Sequence, residues 1–332
     1  MKLAKSGLAV TVITLFFFLI ISGCTHHQPG TWRNNKIDSG IKDDLHEMND
    51  ILFKAIKANK PIIVEKIMSK TMLNDPNNKR TIELSNIHLR TGKITMLDEY
   101  YMVHDFNREN KIQSANYGNN TYSLTYQPTT REMYMAYYII KDGINQWLLS
   151  AIYNKLDYGW KLCELELNPY TISGKTAPEL YDLAKKQYAK KYLIDAVNTM
   201  NLSRSCSLPN VMWSYKQQTE MNNFYTRIID EAEKTYSFPV VIKEVATQPK
   251  IFRVFNQSIA EGIFPEIYYL SSIDLKDTVA IKKENNELQK VIGKILPGID
   301  QDKKYLLYSV FSEKSGKKKM YEYHLQFTEV LR

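Results

Sequence analysis

Residues 133–167 read MYMAYYIIKDGINQWLLSAIYNKLDYGWKLCELEL, and the fold is decided by this stretch. Three runs rich in aromatic and β-branched residues (133–140, 147–153 and 160–167) are parted by Asp142-Gly143 and by Asp157-Tyr158-Gly159. Such residues suit a pleated, half-buried surface, and Asp and Gly supply the backbone freedom of a tight reversal. Gaps this short make the runs antiparallel neighbours, because a parallel crossover takes a dozen residues or more. Upstream, 122–126 is joined to 133–140 across Gln127-Pro128-Thr129-Thr130 and is expected to belong to the same meander, with 100–106 as a strand before it.

Outward from the meander the period changes. Leu45, Met48, Leu52, Ala55 and Ile56 recur at helical spacing, and Pro61 opens a second short helix, where its missing N–H costs little. Residues 74–95 fit neither period. After the meander, Asn168-Pro169 marks a junction, and Thr176 with Glu179 forms a capping box for a helix carrying Leu180, Leu183 and Ala184. Gly174-Lys175-Thr176 is not a phosphate loop, since the earlier glycine that loop needs falls on Pro169. Leu183-Ala184 followed by Ala196 is similar to tetratricopeptide spacing, but a single repeat makes a helical hairpin rather than a solenoid. A third helix carries the apolar stripe Met221, Phe224, Tyr225, Ile228, Ile229, Ala232 and Tyr236. Strands at 240–245, 251–255 and 267–273 and a helix bearing Leu288, Val291, Ile292 and Ile295 come next. A closing hairpin (305–311 with 320–327) turns at Lys314, Lys317, Lys318 and Lys319, read as a solvated tip with anionic lipid as the other reading.

Composition agrees with regular structure: in 332 residues there are only 13 glycines and 11 prolines, and three cysteines exclude a disulfide scaffold. The formal net charge of +8 includes Lys2 and Lys5 of the N-terminus. An apolar run from 8 to 21 follows them, broken only by Thr11 and Thr14 and shorter than the roughly 20 residues of a spanning helix. It ends in Ile21-Ser22-Gly23-Cys24, which resembles the lipobox of bacterial lipoproteins: an aliphatic residue, two small ones and the cysteine that receives diacylglycerol. The resemblance implies a signal peptide over 1–23, lipidation at Cys24, and a membrane-anchored lipoprotein of the bacterial envelope. Thr25 stands where the inner-membrane retention signal usually has Asp, so the outer membrane is the expected destination in a Gram-negative cell. The remaining chain keeps 42 basic against 36 acidic residues, with no Arg-rich stripe, and no nucleic-acid partner is expected.

The expected organisation is α+β throughout: a flexible tether over 24–40, N-terminal helices with a curved antiparallel sheet over 41–172, a helical bridge over 173–236 and a C-terminal α+β domain with an antiparallel hairpin over 237–332. Helices first and a curved sheet second, closed by the Gly159-Trp160-Lys161-Leu162-Cys163-Glu164-Leu165 strand, resemble the cone-shaped nuclear transport factor 2-like fold over roughly 41–170. That resemblance implies a hydrophobic pocket with an Asp or His at its mouth, where desolvation raises a carboxylate's pKa. Asp98, Glu99, His104 and Asp105 are the candidate residues for such chemistry, although neighbours on a strand such as His104 and Asp105 point to opposite faces.

Enzyme motifs are otherwise absent: there is no Gly-x-Ser-x-Gly elbow, His-Glu-x-x-His, dinucleotide glycine pattern or calcium loop. His26-His27 reads as tether, and His46, His88, His104 and His324 lack metal-ligand spacing, so neither metal nor cofactor is expected. Cys163 is expected in a strand core, and an oxidising envelope would permit a bond from it to Cys206. Tyrosine is abundant, with 23 in the chain and many on expected strands (Tyr117, Tyr122, Tyr126, Tyr134, Tyr137, Tyr138, Tyr153), which fits either a recognition surface or tolerant outward positions. The expected function is a non-catalytic binding or scaffolding module for a protein or small apolar ligand. The alternative is an envelope enzyme of isomerase or dehydratase type using a pocket carboxylate.

Overall fold

Strands expected from the central stretch form one side of a five-stranded antiparallel sheet, from its centre to one edge. In the computed structural model, which describes residues 28–115, 118–313 and 324–331, the N-terminal strands are β1 (Gly30–Arg33), β2 (Lys93–Val103), β3 (Asn110–Gln113), β4 (Tyr122–Tyr126), β5 (Glu132–Asp142), β6 (Asn145–Leu156) and β7 (Gly159–Pro169). The lipobox with Cys24, the His26-His27 pair, Tyr117 and the lysines at 314 and 317–319 lie outside the described residues. The spatial order is β1-β2-β5-β6-β7, every pair antiparallel.

The sheet is covered on both faces, which is why its strands read as nearly unbroken apolar runs. Four helices cover one face: α1 (Ser39–Lys57), α2 (Pro61–Ile67), α3 (Lys70–Leu73) and α4 (Asn77–Thr91). Asp38 caps α1, accepting from the amides of Gly40 at 3.0 Å and Ile41 at 3.4 Å, a device worth about 1 kcal/mol. Leu45, Leu52, Ala55 and Ile56 of α1 and Val64 of α2 pack with Leu89 of α4 against Tyr101, Tyr134, Tyr138 and Tyr153 of the sheet. Helix α4 fills the stretch that fits neither period, and the reason is visible: Leu84 and Ile87 face solvent, while Ser85 and Leu89 face inward. The tether expected over 24–40 gives way to strand at Gly30, because Gly30 to Arg33 pair with Val103 to Tyr100 on the edge of the sheet.

One strand is not where the turn chemistry put it. Strand β4 leaves the meander and pairs with β3 and with β8 (Trp213–Tyr215), forming a small separate sheet. A short, Pro-containing connection proves only that two strands are close in the chain; here it carries the chain from one sheet to another. Strand β8 follows two helices of the bridge, α5 (Ala177–Ala189) and α6 (Leu193–Ser205), so the bridge is hydrogen-bonded into the N-terminal unit. The cap of α5 forms as expected, with the Glu179 carboxylate accepting from the Thr176 amide at 2.8 Å. The third helix, α7 (Gln218–Thr235), buries Met221, Phe224, Ile228 and Ala232 of its stripe.

The C-terminal strands are β9 (Val240–Val241), β10 (Lys250–Ile259), β11 (Gly262–Ser271), β12 (Tyr305–Ser312) and β13 (Leu325–Val330), in the order β13-β12-β11-β10-β9. The closing hairpin is present: β12 and β13 run antiparallel, with Tyr305 opposite Val330. A parallel β11–β12 pair is added, made by the crossover through α8 (Thr278–Ile295). One hydrophobic core runs from the second face of the large sheet, through the bridge, to this sheet and α8. A buried ion pair joins bridge to C-terminal unit: Lys303 Nζ lies 2.9 Å from the Asp195 carboxylate of α6 and also donates to the carbonyls of Gly298 and Gln301. Gly298 has φ +89°, and a Cβ there would strike the Tyr192 ring, so both backbone and packing require glycine.

Candidate functional site

A β-bulge decides where the two acids of β2 point. Met96 and Asp98 pair with Tyr138 and Tyr137, leaving Leu97 as the extra residue. Leu97 and Asp98 therefore face the inner core together, and Glu99 faces the helical layer. Asn34, in the left-handed region at φ +52°, holds the kink: its side-chain amide donates to Asp98 Oδ1 at 2.9 Å, and its carbonyl oxygen accepts from the Glu99 amide at 2.9 Å.

Glu99 is fully enclosed by partners of its own chain. Lys42 Nζ lies 2.9 Å from Oε1, while His46 Nε2 and the Tyr134 hydroxyl each reach Oε2 at 2.7 Å. Burial pushes this carboxyl up, but the Tyr134, Lys42 and His46 hydrogen bonds outweigh burial and hold it below the ordinary value. Asp98 is likewise buried and accepts the Tyr122 hydroxyl at 2.5 Å; Tyr122 in turn lies 3.0 Å from the Tyr100 hydroxyl. The two neighbouring acids thus serve two different cores and share no pocket.

The space above Asp98 is filled by aromatic rings. Trp213 of β8, 2% exposed, stacks on Tyr122 with centroids 3.4 Å apart and meets Tyr137, Tyr170 and Tyr215 edge-on. Tyr122, Tyr126, Tyr134, Tyr137, Tyr138 and Tyr153 are all buried, so these tyrosines neither line a recognition surface nor face outward. Their hydroxyls explain their use in place of phenylalanine: each of four ties into an internal network, Tyr122 to Asp98, Tyr126 to His104, Tyr134 to Glu99, and Tyr153 to Asn49 at 2.9 Å.

His104 and Asp105 lie just beyond β2, where the strand rule for opposite faces no longer applies. His104 is half-buried, its Nε2 3.0 Å from the Tyr126 hydroxyl and its Nδ1 3.2 Å from the Arg131 carbonyl. Burial pushes its pKa down against the opposing pull of the Arg131 and Thr130 carbonyls, favouring the neutral ring. Asp105 is exposed. Both residues border two shallow surface clefts, of ≈ 300 Å³ with Arg131 on the rim and ≈ 260 Å³ with Pro29 and Arg108. Asp98 and Glu99 contribute to neither cleft.

A carboxylate pair that the sequence reading passed over sits on β7. Glu164 and Glu166 face the inner core, across from Ile152 and Ser150 of β6. Burial, reinforced by a hydrogen bond that protonated Glu164 donates to Glu166 and by the negative charge of Glu166, pushes Glu164 up to about 7. Glu166 accepts from the Asn210 side chain at 2.8 Å. Register makes a polar row across four strands, ending in the half-buried Glu166: Asp98 opposite Tyr137, Tyr137 opposite Ser150, Ser150 opposite Glu166. The only available signal was the Leu-x-Glu-Leu-Glu-Leu alternation, which ordinarily means one dry face and one wet face. Here Tyr170, Trp213 and the bridge cover the face expected to be wet.

Cys163 is the extra residue of a second bulge, and Cys206 is buried; both are free thiols, so the bond between them does not form. Among the described residues no group of three His, Cys, Asp or Glu side chains could hold a metal ion, and no helix is long and apolar enough to cross a membrane. Comparison with known proteins gives no match: no family profile fits the chain, no curated protein resembles it in sequence, and no solved structure matches it.

Proposed function

We propose that this chain is a lipid-anchored lipoprotein of the bacterial envelope whose folded body binds or scaffolds rather than catalyses. The leader ending in Ile21-Ser22-Gly23-Cys24 supports the anchor, and the outer membrane is its proposed location in a Gram-negative cell. The observation that carries the non-catalytic reading is the filling of the inner face: Trp213 and Tyr122 stack over Asp98 and occupy the place of a substrate. Asp98 and Glu99 spend their lone pairs on Asn34, Tyr122, Tyr134, Lys42 and His46 and hold the bulge and α1 in place. The helices and bent antiparallel sheet over 41–170 keep the likeness to the nuclear transport factor 2-like fold as part of this proposal, with the cone plugged. The partner proposed is a protein or small apolar ligand met at the membrane surface.

One observation favours an envelope enzyme of the isomerase or dehydratase class instead: Glu164, pushed up to about 7 beside Glu166, is an acid suited to proton transfer near neutrality. Such chemistry requires the aromatic plug to open. In a variant keeping Trp213 as sole tryptophan, the binding reading predicts emission shielded from acrylamide; ready quenching in the folded protein would favour the enzyme. For the anchor, palmitate labelling and membrane retention are expected in the parent and lost in Cys24→Ala, and their persistence in that variant refutes it.

A further inference from the structure

The start of β1, six residues after the proposed anchor point, and the most exposed aromatic side chain among the described residues of the N-terminal unit lie at one end of one sheet. Cys24 is six residues from Gly30, where β1 begins. Six residues span about 20 Å at full extension, so an acylated Cys24 keeps the start of β1 within that distance of the lipid headgroups. Gly30 pairs with Val103 and Val103 with Glu132, while Leu156 pairs with Gly159 at the same end of the sheet. This end therefore carries two loop tips. On the first, where the Arg108 amide turns back to the Phe106 carbonyl at 3.0 Å, Phe106 stands 70% exposed. On the second, the turn between β6 and β7, Tyr158 stands 51% exposed with the ammonium groups of Lys70 and Lys161 over its ring.

We propose that this end of the sheet rests on the bilayer that holds the anchor, with Phe106 and Tyr158 entering the headgroup region. The inference builds on the lipidation of Cys24 proposed above. Aromatic side chains with an apolar body favour that layer, and a tip that needs no backbone rearrangement loses little on entering it. Local charges nearly balance, Lys70, Arg108, Arg131 and Lys161 standing against Asp105, Glu109 and Asp157. Contact thus rests on the aromatic tips and the anchor rather than on anionic lipid. A single exposed apolar side chain ordinarily means nothing; covalent reach separates Phe106 from Ile144, equally exposed but at the opposite end of the sheet.

The test uses the acylated full chain in vesicles of phosphatidylethanolamine and phosphatidylglycerol, with and without brominated acyl chains. Phe106→Trp, Tyr158→Trp and Ile144→Trp are compared after subtraction of the parent's emission. Loss of the added emission at 106 and 158 but not at 144 is expected, and to a similar extent in purely zwitterionic vesicles. An acylated chain whose Trp at 106 is not quenched, or whose Trp at 144 is quenched as strongly, overturns the docking inference and leaves lipidation standing. A chain that carries no acyl group overturns both.

Discussion

Replacing Glu164 by Gln should make the protein more stable in alkaline solution and nearly neutral in effect in acid. The folded chain raises this carboxyl from 4.5 to about 7, through burial first and then Glu166. A group raised in the folded state stabilises while protonated. That contribution is complete below pH 4.5 and lost as pH rises through about 7. Since part of the contribution is already lost at pH 5, the rise from 4.5 to about 7 corresponds to a loss on the order of 2–3 kcal/mol between pH 5 and pH 8. Gln cannot ionise, and its amide can donate to Glu166 as the protonated acid does. Urea unfolding of parent and variant at both pH values reads the difference directly, and comparing the two cancels every titrating group except the coupled neighbour Glu166. The variant should gain about 2–3 kcal/mol over the parent on going from pH 5 to pH 8. An unchanged difference between the two proteins would sink the assignment of Glu164 as a half-buried, proton-holding acid.

Three further outcomes follow from the packing. Trp213→Ala removes the plug and should cost about 3–5 kcal/mol in urea unfolding, the range for deleting a buried aromatic; a loss below 1 kcal/mol would mean the plug does not join the bridge to the N-terminal sheets. Lys303→Met strands the buried Asp195 carboxylate and should cost about 3–5 kcal/mol, while the double variant with Asp195→Asn should regain much of it; additive losses would contradict a coupled pair. Burial pushes the Cys206 thiol up to about 12, so iodoacetamide should leave it unmodified in the folded chain and alkylate it only on unfolding; rapid reaction at neutral pH would show the bridge to be open.

The elements that could be read in advance are those fixed by a local rule. Pro61 at the first turn of α2, Glu179 reaching back to Thr176, and Asp142-Gly143 between β5 and β6 each express a backbone requirement within a few residues. What escaped depends on partners distant in the chain. Helix α4 was unreadable because Leu84 and Ile87 face water, and the first half of β2 because the bulge at Leu97 breaks the alternation. Strand β4 was placed in the wrong sheet because Pro128 fixes a bend without saying which neighbour lies beyond it. Of the candidate residues, Asp98 and Glu99 proved buried on opposite faces, while His104 and Asp105 share surface clefts because the strand ends at Val103. Glu164 and Glu166 were invisible since the bridge that covers their face, with Asn210 donating to Glu166, lies far along the chain.

The central claim, a folded body held to an envelope membrane through Cys24, is tested most directly by the mass of the mature N-terminal peptide isolated from native membranes. The account predicts a chain that starts at Cys24 and carries the mass of diacylglycerol on its thiol. A chain that still contains residues 1–23, or one that starts at Cys24 with a free thiol, would contradict it.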